Sequence, residues 1–255
     1  MIFLKSRQEI EIMRTANRIV SEILADIKER VVPGISTSEI DKISAELIKK
    51  KGARSAFKGY QIRNGVPPFP ATICISLNHE VVHGIPSPQR IVKEGDIVSL
   101  DFGVIYKDFY GDAALTFFMG KPDEKIHRLI VSTEEALEAG IEKATVGNRI
   151  GDISFAVQER VEKEGFSVVR EFVGHGVGRR LHEDPPVPNY GVRERGVRLR
   201  EGMVIAIEPM VNIGGPDVLM KSDGWTAVTK DGSLSAHFEH SVAITEKGPE
   251  VLSRL

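Results

Sequence analysis

Glu94-Gly95-Asp96-Ile97-Val98-Ser99-Leu100-Asp101 recurs downstream as Glu201-Gly202-Met203-Val204-Ile205-Ala206-Ile207-Glu208. In both copies Glu-Gly opens an apolar, strand-like run, and an acid follows that Glu by seven positions. A second acid follows each copy: Asp112 in Gly111-Asp112-Ala113-Ala114-Leu115, and Glu239 in His237-Phe238-Glu239-His240-Ser241. Any one of these acids alone reads as a water-facing strand-edge residue, because charged side chains are mostly exposed. Four at repeat-related positions in apolar segments would repel one another unless a cation sits among them. The pattern predicts a metal site, with two ions expected, at the centre of a duplicated domain.

The flanking segments repeat as well. Ser6-Arg7-Gln8-Glu9 reads as a capping box, and Ile10, Met13, Ile19, Val20, Ile23, Leu24 and Ile27 then recur at helical spacing. Ser36, Thr37 and Ser38 offer caps for a second helix, whose inner face is Ile40, Ile43, Leu47 and Ile48. In the second half a helix runs through Ile126, Leu129, Ile130, Ala136, Leu137 and Ile141. Gly147, Ile153 and Gly165 then stand where Gly34, Ile40 and Gly52 stood. Strands are expected at Thr72–Leu77, Ile97–Ile105, Tyr110–Phe118, Ser167–Val173, Met203–Pro209 and His237–Ile244, from their Val, Ile and Phe content and turn boundaries. The expected fold class is α+β: one domain over residues 1–255, in pseudo-symmetric halves of about 1–120 and 121–255, with helices covering a sheet.

Composition sets limits. The chain has 255 residues, enough for a large core, and 41% hydrophobic with 27% charged residues is ordinary for a globular protein. A net charge of -2 carries no global footprint for nucleic acid or membrane. The basic run Arg193, Arg195, Arg198, Arg200 is interleaved with Glu194 and Glu201 and reads as a solvated loop. One cysteine, Cys74, excludes an intrachain disulfide and a Cys-based zinc site, and fits a reducing compartment. Ile2-Phe3-Leu4 is too short for a signal-peptide core and no stretch approaches a membrane span, so a cytoplasmic location is expected.

A hairpin turning at Tyr106-Lys107 would bring Asp101 and Asp112 face to face, and Glu208 and Glu239 can form the equivalent pair. Among seven histidines, His83 in His83-Gly84-Ile85-Pro86 and His175 in Gly174-His175-Gly176-Val177-Gly178 each follow an expected strand and precede a glycine. His182 lies seven further on. His79 and His127 read as ordinary surface or packed residues; His240 should point away from Glu239, while His237 shares its face. Acid and imidazole donors without cysteine suit Mn, Fe, Co or Zn. Two such ions can hold a hydroxide between them and stabilise a tetrahedral oxyanion, so amide or ester hydrolysis is the natural chemistry. No phosphate loop or Ser/Cys nucleophile motif is visible.

Cys74-Ile75-Ser76-Leu77-Asn78, His83-Gly84-Ile85-Pro86, Val98-Ser99-Leu100-Asp101, Gly111-Asp112, Gly174-His175-Gly176-Val177-Gly178, Ala206-Ile207-Glu208-Pro209-Met210 and Phe238-Glu239-His240 together resemble the type I methionine aminopeptidases, in that family's order and over nearly the whole chain. The resemblance implies a pita-bread fold, with a curved, mostly antiparallel sheet covered by helices. It implies two divalent metal ions (Co, Mn, Fe or Zn) held by Asp101, Asp112, His175, Glu208 and Glu239, with Asp112 and Glu239 bridging. His83 and His182 would then contact the scissile peptide, Glu208 would shuttle a proton, and Tyr60, Phe69, Cys74, Leu181 and Trp225 would line a methionine pocket. The implied activity is removal of the initiator methionine when the second residue is small, by attack of a metal-bridging hydroxide. Implied partners are nascent polypeptide N-termini and the ribosome near its exit tunnel; no membrane or specific nucleic-acid sequence is implied, and a monomer is expected.

The chain departs from the family at three places. Gln61–Pro68 is longer than in many members, Leu181 replaces a common aromatic residue, and His237 replaces a common glutamine. Two other readings share the fold: a hydrolase acting at Xaa-Pro bonds, and a metal-free binder of peptides or RNA.

Overall fold

The computed structural model describes residues 1–62 and 65–254; Arg63 and Asn64 of the long segment lie outside the described residues. Helix α1 spans Arg7–Arg30 and α2 spans Thr37–Lys50. Each opens on a capping box, Ser6 with Glu9 and Ser36 with Glu39, which satisfies donors that the first turn cannot pair internally. Helices α3 (Glu124–Lys143) and α4 (Ile150–Lys163) occupy the same places in the second half. There Asp123 caps α3, and the Asp152 carboxylate accepts the Arg149 N–H at the start of α4.

The repeat extends to backbone detail. Ser36 bridges Ile91 in one half and Arg149 bridges Arg198 in the other. The Gly34 N–H donates to the Val92 carbonyl, and the Gly147 N–H donates to the Leu199 carbonyl. Gly95 and Gly202, at the start of the two quoted copies, turn into their strands with φ of +90° and +85°, a region that L side chains avoid.

A nine-stranded antiparallel sheet runs through both halves. The halves join where the Phe109–Phe118 strand pairs with the Glu239–Thr245 strand. Ile19, Val20, Ile23 and Ile27 of α1 pack with Val98, Leu100, Phe102 and Val104. Leu137, Ile141, Ile153 and Val157 of α3 and α4 pack with Ile205, Ile207, Val242 and Ile244. Two apolar cores therefore lie under helices, one per half, and the acidic segments meet at the seam.

Some expected strands differ. Ser167–Val173 is only Ser167–Val168, and a separate strand, Gly174–Gly176, follows. His237–Ile244 divides at Phe238 into Ser235–His237 and Glu239–Thr245, which belong to different sheets. Short strands such as Glu80–Val82 and Glu183–Val187 carry too few residues for a periodicity to show.

Candidate metal centre

The strands Ile97–Tyr106 and Phe109–Phe118 form the expected hairpin, but it turns at Lys107-Asp108, both with positive φ. That is one residue later than the Tyr106-Lys107 midpoint. Asp101 therefore faces Ala114 and Asp112 faces Gly103, so the two carboxylates are diagonal neighbours on one face instead of directly opposed. The diagonal leaves room for something between them. Helix α1 fixes Asp112: Asn17 is fully buried, and its Oδ1 accepts the Asp112 N–H at 3.1 Å. Gly111 permits that approach, since a Cβ there would stand 2.7 Å from the Ala16 carbonyl carbon.

Glu239 lies across from Ala114, in the same cross-strand row as Asp101. His240 pairs with Ile207, so the next residue along, Glu208, comes level with Glu239. The second pair forms as expected from the sequence. Asn189 Nδ2 donates to the Glu208 carbonyl at 3.0 Å and holds the chain just past its strand. His240 turns away, its Nδ1 bonded to Ser253 Oγ at 2.8 Å.

His175 sits within a strand, Gly174–Gly176, not after one as the sequence suggested. Its Nδ1 lies 2.9 Å from the Gly176 carbonyl, which turns Nε2 toward the acids. Nε2 is 3.4 Å from Glu208 Oε1 and 3.9 Å from Asp112 Oδ2. Among the described residues, donor atoms of Asp112, His175 and Glu239 all lie within 4.8 Å of one another. Asp101 and Glu208 line the same cavity beside that trio.

The electrostatics of this cluster are those of a cation site. Burial raises Asp101 to about 7, with Glu208 adding to the rise and His237 opposing it. Burial alone raises Glu208 to about 8. Asp112 and Glu239 are pushed well up by burial and by the neighbouring carboxylates. Burial, helped by His182, holds His175 down to about 3, so it presents a neutral lone pair. Asp112 Oδ1 and Glu239 Oε1 are buried without any hydrogen-bond partner, a costly arrangement that a divalent ion among these oxygens would relieve. The Cys74 thiol, opposite Asp101 in register, is pushed well up by burial and stays protonated. The donor set is thus oxygen and imidazole, and it fits a divalent transition ion.

The cavity has a volume of about 370 Å³ and brings together all twelve residues singled out from the sequence. Tyr60, Phe69, Cys74, Leu181 and Trp225 form one apolar cluster at its wall. Phe69 meets the Trp225 ring edge-on at 5.2 Å, and Trp225 Nε1 donates to the Pro67 carbonyl at 2.8 Å. The Tyr60 hydroxyl and His182 Nδ1 are hydrogen-bonded to each other. The His182 ring opens to solvent at the mouth, while burial of its other faces lowers its pKa.

His83 reaches the cavity through its own left-handed backbone. His83 itself adopts φ +60°, and Gly84 is needed because a Cβ there would stand 2.1 Å from the Ile75 carbonyl oxygen. Its ring stacks edge-on against Phe172 at 5.4 Å and Trp225 at 6.1 Å. Burial, with help from His237 and His182, lowers His83 to about 4.

Sequence reasoning did not find Phe57, Ile62, Glu171, Phe172 or Met210, which also line the cavity. Met210 follows Glu208-Pro209 directly and was within reach of the motif; the others carry no local signal. His79 and His127 are exposed and away from the site, as expected. Among the described residues, no helix is long and apolar enough to cross a membrane.

Residues 11–246 match metallopeptidase family M24. The chain is 53% identical over 253 residues to the methionine aminopeptidase of Clostridium perfringens, covering 99% of both. It is 49% identical over 255 residues to methionine aminopeptidase 1 of Bacillus subtilis, covering 100% of both. The structure superposes on the methionine aminopeptidase of Thermotoga maritima with a TM-score of 0.96 at 47% identity and complete coverage of both chains. A prolidase from Pyrococcus furiosus shares the fold at a TM-score of 0.78, with 24% identity and 65% of its own length covered. The buried acid–imidazole cluster, the pita-bread fold and these full-length identities place the chain in metallopeptidase family M24, among the methionine aminopeptidases.

Proposed function

We propose that this chain removes the initiator methionine from nascent proteins whose second residue is small. The observation that carries this is one cavity in which an apolar wall adjoins a neutral imidazole and four acids, Asp112 and Glu239 buried and Asp101 and Glu208 partly buried. The reading includes two divalent ions from the Co, Mn, Fe and Zn series held by Asp101, Asp112, His175, Glu208 and Glu239. When bound, such ions activate water near neutral pH and polarise a carbonyl oxygen.

The chain's own residues do the rest. Tyr60, Phe69, Cys74, Leu181 and Trp225 take the methionine side chain, whose flexible thioether packs well against aromatic edges. That places the scissile peptide between the acids and the two histidines. His83 is neutral and donates an N–H to the peptide without adding a charge. His182, steadied by the Tyr60 hydroxyl, faces the same bond from the other wall. Glu208 would take the proton released by the attacking water and pass it to the leaving nitrogen. The substrates are N-termini emerging at the ribosomal exit tunnel, in the cytoplasm, and the working unit is a monomer.

A peptide panel tests this reading. Met-Ala-Ser should release free methionine rapidly, Met-Lys-Ser slowly, and Leu-Ala-Ser and Ala-Pro-Ser barely at all. Preferred cleavage of Ala-Pro-Ser would favour an Xaa-Pro hydrolase instead, and no cleavage of any peptide would favour a binding protein.

A further inference from the structure

We infer that His237 is a positioning residue that orients the Glu208 carboxylate through a hydrogen bond from Nε2. The inference rests on the reading of Glu208 and His175 as metal-holding residues. Two imidazoles address that carboxylate: His175 Nε2 lies 3.4 Å from Oε1, and His237 Nε2 lies 3.6 Å from Oε2. His237 is 2% exposed, and its Nε2 is buried with no hydrogen-bond partner. A buried N–H left without an acceptor is costly, and Oε2 is the carboxylate oxygen facing it. A movement of a few tenths of an ångström closes the bond.

The backbone allows His237 little freedom to point elsewhere. Its N–H donates to Thr116 Oγ1 at 2.9 Å, the Thr116 hydroxyl donates to its carbonyl at 2.6 Å, and it pairs with Met210 across the Ser235–His237 strand. Glu208 and His175 line the cavity, whereas His237 does not. It stands behind the carboxylate, outside the cavity, so it acts through Glu208 and is not a sixth ligand. With His237 on Oε2, Oε1 is turned to the space that His175 also faces. A glutamine side chain presents an N–H of similar reach, so the donor, not the ring, is the functional element. Hydrogen-bonded partners behind ligating groups fix their orientation and typically alter metal affinity by roughly 10–100-fold.

The test compares wild type, His237→Gln and His237→Leu, after metal stripping, by calorimetric titration with Mn(II). His237→Leu should bind Mn(II) roughly 10–100-fold more weakly, and at saturating Mn(II) it should lose kcat with little change in KM. His237→Gln should stay close to wild type in both. Wild-type affinity in His237→Leu, or equal loss in both variants, would overturn the assignment. Nitrogen-15 imidazole spectra of the intact protein give a check that needs no substitution. The Nε2–H tautomer is expected at His237, and the Nδ1–H tautomer would also overturn it. Mn(II) binding is read separately from peptide cleavage, so a protein that binds Mn(II) but does not release methionine leaves this inference standing while removing the proposed substrate.

Discussion

Lys5 and Glu183, 178 positions apart in the chain, form a 2.7 Å ion pair with side chains only 5% and 3% exposed. Glu183 Oε1 also accepts the backbone N–H groups of Arg179 and Arg180, closing the loop that carries Leu181 and His182. The N-terminal segment thus braces one wall of the candidate site.

Removing one partner of such a pair strands the other charge in a dry setting. Lys5→Met should lower unfolding stability by about 3–5 kcal/mol, measured by urea denaturation. Because the loop loosens with it, kcat should fall as well. A loss below about 1 kcal/mol, the range of exposed pairs, would show that water screens this one.

The two histidines that are not expected ligands should separate from the acids in their effects. His83→Ala and His182→Ala should keep bound metal near wild type while kcat falls roughly 10²–10⁴-fold, the scale of a positioned acid–base or oxyanion-stabilising group. Tyr60→Phe removes only the hydroxyl partner of His182 Nδ1. A loss of about 1 kcal/mol, roughly fivefold in kcat, is expected. Metal analysis of the purified variants decides the matter, and an emptied site in His83→Ala would make His83 a ligand.

The metal-free protein should have a narrow pH range of stability. Asp101 and Glu208 sit at about 7 and about 8, above their ordinary 3.8 and 4.5. In the folded state they keep protons that the unfolded chain has already released. Their contribution is full below those ordinary values and is lost as pH rises through 7 to 8. His83 and His175, held at about 4 and about 3 against an ordinary 6.5, act in the other direction. Their contribution is present above 6.5 and is lost as pH falls toward 4 and 3. The two trends offset between about 4.5 and 6.5, so thermal melts of stripped protein should be highest at or below about pH 6.5 and decline as pH rises from there to 8 and as it falls toward 3. Bound Mn(II), which keeps the carboxylates ionised, should remove the alkaline decline. A stripped protein that gains stability between about pH 7 and 9 would contradict this.

Much of this molecule was legible in the sequence because its halves repeat. The matched Glu-Gly copies located two strands, and the acids ending or following them converge at the seam between halves. What the sequence could not supply was register. Placing the turn at Lys107-Asp108 instead of one residue earlier makes Asp101 and Asp112 diagonal, and only the left-handed φ of both turn residues reveals it. The break at Phe238 is equally invisible in a run that is apolar on both sides. It sends His237 into a different sheet from Glu239 and still returns its ring to Glu208. Cavity residues such as Phe57 and Phe172 lack a motif because their role comes from long-range packing alone.

Glu239 is one of the residues that would hold the metal, and its Oε1 is buried without a partner. Glu239→Ala should therefore weaken Mn(II) binding and lower kcat together, since the remaining acids hold an ion poorly. Calorimetry beside steady-state kinetics checks the pairing of the two losses. Loss of activity with full metal occupancy would assign Glu239 another role.

The most direct measurement follows methionine release from Met-Ala-Ser by rigorously chelated protein as Mn(II), Co(II) or Fe(II) is added back without oxygen. The buried acids and the neutral His175 predict no release in stripped protein, and activity that rises with added ion to a plateau. Full activity in metal-free protein would contradict the account at its centre.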